Sequence, residues 1–366
     1  MEAVGGSSSP SWAPPSAPLS GSSCEALLWL PPGESPVISA VMFSAGLVGN
    51  LWALALLGRA RLLRRRRRPS CLARRQPPFR ALLSALVLTD LLGTCLLSPA
   101  VLSAYATGRT LVALDGGRGR LCQAFAFGMS FFALATLCCL GAMALERSLA
   151  LGAPYLYARL LGEAPAWLPW TALGALYALC AALCAAPLLL GFGRFAQYCP
   201  GTWCFLQMRS AFALLYAALL LLLVLAVLLG NLSLMASLLR LRRRGRALRL
   251  PGAPPDLCVA REEDHLILLS IMTLTFAVCS LPFAIRAFMN NFLPESSYEE
   301  DLRAMRFLSV NSIIDPWVFA ILRPPVLRLI RSVICCRTPC KVRTKTKQAS
   351  CVAKPDPVME VDICHP

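Results

Sequence analysis

Arg306 and Asp315 are the residues whose chemistry stands out first. Both lie in residues 301–325, DLRAMRFLSVNSIIDPWVFAILRPP, a stretch long and apolar enough to cross a bilayer. An ionisable side chain inside a membrane helix costs roughly 2.5–3.5 kcal/mol on insertion scales, so it usually has a partner or a task. The two charges lie about 13 Å apart along a helix rising about 1.5 Å per residue. Leu302, Arg306 and Ser309 share one helical face, and Asn311, Ser312 and Asp315 cluster on the opposite one. The charges therefore do not pair on one ideal helix. No acid stands in the outer third of any other apolar stretch, and a guanidinium is suited to holding a carboxylate bidentately. This chemistry points to an acidic, otherwise apolar ligand. The competing reading is an arginine satisfied by backbone carbonyls or by Glu299, Glu300 or Asp301.

Other apolar stretches carry polar anchors of their own. Asn50 ends GLVGN, Asp90 ends VLTD, and Glu146-Arg147 closes a third stretch. The plain reading is interhelical hydrogen bonding, worth typically under about 2 kcal/mol per pair. For Glu146 and Arg147 a snorkelling pair competes with a conformational lock in which Arg147 exchanges partners. Pro99, Pro187, Pro282 and Pro316 each free a backbone carbonyl and bend their helix. Pro282 and Pro316 are the best hinge candidates.

The elements that must position these groups follow from composition. The chain has 366 residues, 57% of them hydrophobic and 15% charged. The mean hydropathy is +0.61. That is membrane composition rather than a soluble core. The net charge of +17 is explained by placement. Ten Lys or Arg residues lie from Arg59 to Arg80, six from Arg240 to Arg249, nine from Arg323 onward and none before Arg59. These clusters flank apolar spans and lack a folded domain around them, which argues for the positive-inside rule and against nucleic acid. The N-terminus is then outside and the C-terminus inside, which demands an odd number of spans. Seven stretches suffice for a roughly 30 Å hydrocarbon core. They lie near 37–58, 80–105, 121–148, 167–190, 211–239, 265–290 and 301–322.

Residues 1–36 read as a disordered extracellular tail, 37–323 as the seven-span domain, and 337–366 as a disordered cytoplasmic tail. Between the last two, residues 324–336 form a short amphipathic juxtamembrane helix, with Cys335 and Cys336 as palmitoylation candidates. The loop GRFAQYCPGTWCF, 193–205, alternates and carries a Pro-Gly turn, which predicts a hairpin over the mouth of the bundle. Cys204 and Cys122 are its natural staple, and Cys24 and Cys199 a second candidate pair; spacing alone does not fix the pairing. Cys95, Cys138, Cys139, Cys180, Cys184 and Cys279 read as small buried side chains. The Asn231-Leu-Ser sequon lies inside the fifth span, out of reach of glycosylation. The run Arg64–Arg68 suits anionic lipid as well as topology.

The chain as read is an all-α membrane protein: a seven-transmembrane helix bundle with an amphipathic eighth helix and an extracellular β-hairpin. GLVGN, LTD, Cys122, Glu146-Arg147, Pro282 and DPWVF resemble the rhodopsin-like G-protein-coupled receptors. QYCPGTWCF and RFLSVNSIIDPWVF resemble the prostanoid receptors among them, over about residues 25–340. WLPPGESP, EEDHLILLSIMTLTFAVCSLPF and SIIDPWVFAILRPPVLRLIRSVICC are most similar to the prostaglandin E2 branch, with prostacyclin and prostaglandin D2 receptors next.

The resemblance implies that Arg306 binds the carboxylate of prostaglandin E2, that Thr202 and Tyr105 complete its polar end, and that Ser309, Met42, Ser39 and Thr94 line the same region. It implies Glu146, Arg147, Asp90, Asp315, Pro316 and Pro282 as the activation switch. The implied partners are the stimulatory G protein, arrestin, receptor kinases and membrane lipid; no catalysis and no cofactor is implied. The sequence departs from the wider class at Ser148, where a Tyr is usual, at Ser280, where a Trp is usual, and at Asp315, where an Asn is usual; the last two are prostanoid features. Asp90, Asp315, Thr136 and Asn311 form a candidate sodium pocket. An organic-anion transporter would also use Arg306, but the odd span count and absent half-length repeat argue against one.

Overall fold

The computed structural model describes residue 24 and residues 27–66, 77–159, 165, 167–191, 194–248, 257–292 and 298–321. Chain contacts divide the protein into residues 1–324 and 325–366, and every described residue belongs to the first unit. The expected amphipathic helix 324–336, Cys335, Cys336 and the C-terminal tail lie outside the described residues.

Apolar runs of the predicted length become long helices. These are α1 (Val37–Arg66), α2 (Pro77–Thr107), α4 (Arg120–Gly152), α6 (Leu168–Leu190), α7 (Ala211–Leu248), α8 (Leu257–Phe292) and α9 (Tyr298–Ile321). Short helices α3 (Leu111–Leu114) and α5 (Pro154–Tyr157) precede and follow α4. α7 has 38 residues, about 57 Å at ~1.5 Å per residue, so it reaches well beyond a hydrocarbon core. α4 contributes Leu134, Leu137, Leu140 and Met143 to the centre of the core.

Among the described residues, six of the seven long helices are long and apolar enough to cross a membrane by composition. The seventh, α9, is not in that set. Its 24 residues give about 36 Å, enough length for a span. Arg306, Ser309, Asn311, Ser312 and Asp315 dilute its hydropathy. It packs between α1 and α8, so its polar groups are covered by protein rather than lipid.

The predicted hairpin is present. β1 (Phe195–Tyr198) and β2 (Trp203–Leu206) pair antiparallel, with Tyr198 opposite Trp203 and Phe195 opposite Leu206. All of β2 is buried, and Phe205 meets Tyr216 and Phe283 with ring centroids 6.4 and 5.2 Å away. The hairpin therefore plugs the bundle rather than resting on it. Gly201 has φ +104°, and a Cβ there would lie 2.3 Å from a Thr110 side-chain carbon, so only glycine fits this turn.

Two expectations are corrected. Residues 27–36, read as part of a disordered tail, are tied down at their start. Leu30 N–H donates to the Gly108 carbonyl (2.9 Å), Thr110 N–H donates to that of Leu28 (3.1 Å), and Trp29 bridges to Arg109. Once the outer loops offer free carbonyls and amides, even a Pro-rich segment has partners. Cys95, read as buried, faces outward from the bundle; a thiol is apolar enough to stand in a lipid-facing position.

Candidate ligand-binding site

Arg306 sits half-buried on α9, and its Nε is buried without a hydrogen-bond partner. The loop acids that competed for it are engaged elsewhere. Arg286 on α8 binds Asp301 (2.7 Å) and Glu300 (2.5 Å), and Asn290 donates to both Asp301 oxygens (2.9 Å each). Glu299 lies 3.5 Å from Arg303. Arg306 has no ion pair among the described residues, so its charge is available to an anion entering the bundle.

Arg286 is the residue that sequence reasoning missed. It stands inside the sixth apolar span four residues after Pro282, opposite the Glu299-Glu300-Asp301 run that opens α9. That pairing of a lone basic residue with the next helix's acidic start was the available signal.

A cavity of about 80 Å³ lies between the helices. Ser39 and Met42 on α1, Thr94 on α2 and Ser309 on α9 line it, as do Phe125, Trp203 and Phe276. Arg306, Tyr105 and Thr202 are not among its lining residues. Arg306 is one turn above Ser309 on the same face. Tyr105 is half-buried at the outer end of α2. Thr202, in the hairpin turn, is fully buried with its hydroxyl unpartnered, and so is the Trp203 indole N–H beside it. Three buried polar groups of the outer bundle thus lack partners: the Arg306 guanidinium edge, the Thr202 hydroxyl and the Trp203 N–H. Buried polar groups are nearly always satisfied, so such a set suits a polar-headed guest. About 80 Å³ is far below the roughly 300–1,000 Å³ of small-molecule pockets, so a lipid needs the bundle to open.

The same cavity reaches Asp90, Thr136, Asn311 and Ser312. Two separate faces of α9 were expected, an outer ligand face and an inner switch face; instead Ser309, Asn311 and Ser312 border one continuous space. Thr136 donates to one Asp90 oxygen (2.9 Å) and Asn311 to one Asp315 oxygen (3.2 Å), and the other oxygen of each carboxylate is unpartnered. Among the described residues no cluster of three or more His, Cys, Asp or Glu could hold a metal. Any cation there would rest on two carboxylates, a hydroxyl and an amide.

Asn50 explains Pro316. A proline cannot donate to the carbonyl four residues earlier, which frees that of Ser312. Asn50 Nδ2 donates to it at 3.1 Å. The α9 break is thus satisfied by α1. Pro282 sits inside α8, where its ring leaves the Val278 carbonyl without its helical donor.

At the other end of α4, Arg147 holds Glu146 through two nitrogens at 2.5 and 2.7 Å, and the Tyr157 hydroxyl donates to Glu146 at 2.9 Å. The guanidinium also lies 4.8 Å from the Phe79 ring centroid. Arg147 is only 1% exposed, which excludes a snorkelling side chain. Disulfides join Cys24 to Cys199 and Cys122 to Cys204, with Cα separations of 5.2 and 5.3 Å.

Comparison with known proteins agrees with this architecture. A family model described as 7 transmembrane receptor (rhodopsin family) matches residues 71–319. The human prostaglandin E2 receptor EP2 subtype is 51% identical over 359 residues, covering 93% of this chain and 97% of that protein. The prostacyclin receptor of Bos taurus is 47% identical over 322 residues, covering 86% and 80%. Squid rhodopsin superposes with a TM-score of 0.61 at 13% identity over 83% of this chain and 85% of that one, a likeness of fold. This is a multi-pass protein of the plasma membrane and a receptor rather than an enzyme. The chain belongs to the rhodopsin family of seven-transmembrane receptors, and within it to the EP2-subtype prostaglandin E2 receptors.

Proposed function

We propose that this chain binds prostaglandin E2 and signals through the stimulatory G protein to adenylate cyclase, raising cyclic AMP. The observation that carries the reading is Arg306: a membrane-helix guanidinium with no ion pair among the described residues, one turn above an apolar cavity. It receives the ligand carboxylate. Thr202 and Tyr105 complete the polar end, and Ser309, Met42, Ser39 and Thr94 meet the chains and ring. The ligand assignment draws on the relatives named prostaglandin E2 receptor EP2 subtype.

In this mechanism agonist favours a wider bundle in which α8 swings outward about Pro282, a shift between pre-existing states. Arg147 then leaves Glu146 and borders the groove that receives the G protein. Arrestin and receptor kinases use the same cytoplasmic side, with the N-terminus outside. A sodium ion at Asp90, Asp315, Thr136 and Asn311 would make agonist affinity sodium-dependent; a flat sodium titration removes it.

A second reading is a preference for prostacyclin, favoured by relatives of that name at 47% identity. Apolar pocket walls separate small ring substituents by only about 1–3 kcal/mol. Cyclic AMP accumulation in cells expressing the full chain, measured with prostaglandin E2, prostacyclin and prostaglandin D2, decides. Prostaglandin E2 is expected to act at the lowest concentration. Its failure where another of the three succeeds overturns the assignment.

A further inference from the structure

A second cavity, of about 540 Å³, opens on the outside of the bundle between α1, α2, α4 and α6. Its polar groups are distributed unevenly. At the deep end the Tyr177 hydroxyl is engaged with Thr89 (2.7 Å) and lies 3.5 Å from the Cys139 sulfur, and Thr89 donates to the Ala85 carbonyl (2.7 Å). No polar group is left over there, and Phe131 and Phe132 close it. At the shallow end stands Arg61. One of its nitrogens donates to the Ser84 hydroxyl at 2.7 Å. A guanidinium has five N–H donors, so most remain for an anion. Arg61 has no acidic partner among the described residues, and the sequence from Arg59 to Arg80 contains no Asp or Glu.

The dimensions fit one occupant. From Ala81 to Leu92 along α2 the groove runs about 16 Å. Half of a roughly 30 Å hydrocarbon core is about 15 Å, the reach of one acyl chain from one leaflet. Leu88, Leu92 and Trp170 on its rim are exposed on the bundle's outer surface, where lipid lies. An apolar slot with a single basic mouth, on the end of α1 that enters the basic run Arg59–Arg80 of the sequence, matches an acyl chain beneath a negatively charged headgroup.

We propose that this groove binds an anionic glycerophospholipid, its phosphate on Arg61 and one acyl chain between α2, α4 and α6. The site is separate from the cavity around Ser309 and does not depend on which prostanoid the receptor takes.

The test is native mass spectrometry of the full chain equilibrated with equal phosphatidylserine and phosphatidylcholine. Phosphatidylserine adducts are expected to exceed phosphatidylcholine adducts about fivefold, the effect of about one basic residue near a membrane surface. Arg61→Gln should bring the ratio near one, whereas Arg61→Lys should keep most of it. Leu88→Trp, which fills the slot from an exposed position, should remove retention of both lipids without moving the unfolding temperature. Replacing Arg64–Arg68 with Gln should leave the preference in place. A preference unchanged in Arg61→Gln overturns the proposal. So does phosphatidylserine retention that survives Leu88→Trp, since the basic loop then captures lipid without the groove. Displacement of both phospholipids by cholesterol overturns it in favour of a sterol.

Discussion

A buried arginine is defined by what its neighbours refuse it. Three acids open α9 within reach of the outer bundle, yet Arg286 and Asn290 hold Asp301, Arg286 holds Glu300, and Glu299 turns to Arg303. That leaves Arg306 with a buried Nε and no anionic partner among the described residues. Removing a hydrogen-bonded charged group costs about 1.5–3 kcal/mol, so Arg306→Ala should weaken prostaglandin E2 binding roughly tenfold to a hundredfold. Competition binding measures this, and unchanged affinity removes Arg306 from the site. Arg306→Lys keeps the charge but not the fork and should fall in between. The arginine was legible because an apolar span advertises any charge within it. Its lack of a partner was not, because three candidate acids adjoin it in sequence and only the fold assigns them to Arg286 and Arg303.

At the scale of elements, the α1–α9 contact shows how small residues serve large ones. Trp317 packs against α1 with its Nε1 donating to the Ala45 carbonyl at 3.3 Å. A Cβ on Gly49 would lie 2.7 Å from that nitrogen and 3.1 Å from Pro316. Gly49→Ala should therefore push the helices apart and destabilise the receptor by about 1–3 kcal/mol, the usual range for overpacking. Gly58→Ala on the same helix meets nothing within 4 Å and should be neutral or slightly stabilising. Thermal unfolding of the two purified variants gives the contrast.

The start of α4 supplies a pH-dependent prediction. Burial pushes the Asp115 carboxyl up, but backbone N–H groups of Leu121 (2.9 Å) and Gly119 (3.0 Å) donate to it and hold it below its ordinary value. A depressed carboxyl contributes stability above its unfolded pKa of about 3.9 and loses it as pH falls through the lower folded value. Stability measured from neutral pH downward should fall below about pH 4 in the wild type, and Asp115→Asn should flatten that part of the curve.

For the whole molecule the outer plug is the organising unit. Gln197 on β1 donates to the Cys24 and Leu27 carbonyls (3.1 Å each) and accepts from Val112 N–H (3.1 Å), so hairpin, N-terminal segment and α3 share one side chain. The Cys24–Cys199 bond crosses 175 residues of sequence. Cross-links that close long loops typically stabilise by about 2–4 kcal/mol. Cys24→Ser should lower the unfolding temperature and speed ligand dissociation while leaving the Cys122–Cys204 anchor intact. An unchanged dissociation rate would show that the N-terminal segment does not help close the mouth.

The sequence by itself determined the seven long helical runs and their order, the hairpin and the identity of the charged residues. Hydrophobic runs, basic clusters and turn residues act locally, and the bilayer leaves helices as the ready solution for each run. It did not determine which partners those charges keep. Asn50 meeting the Ser312 carbonyl, Arg286 taking the acids of α9, Arg147 buried against Phe79, and the single cavity joining Ser309 to Asp90 each depend on side chains from different helices. Those encounters follow from helix rotation and packing, which are set by contacts distant in sequence, so they become visible only in the tertiary structure.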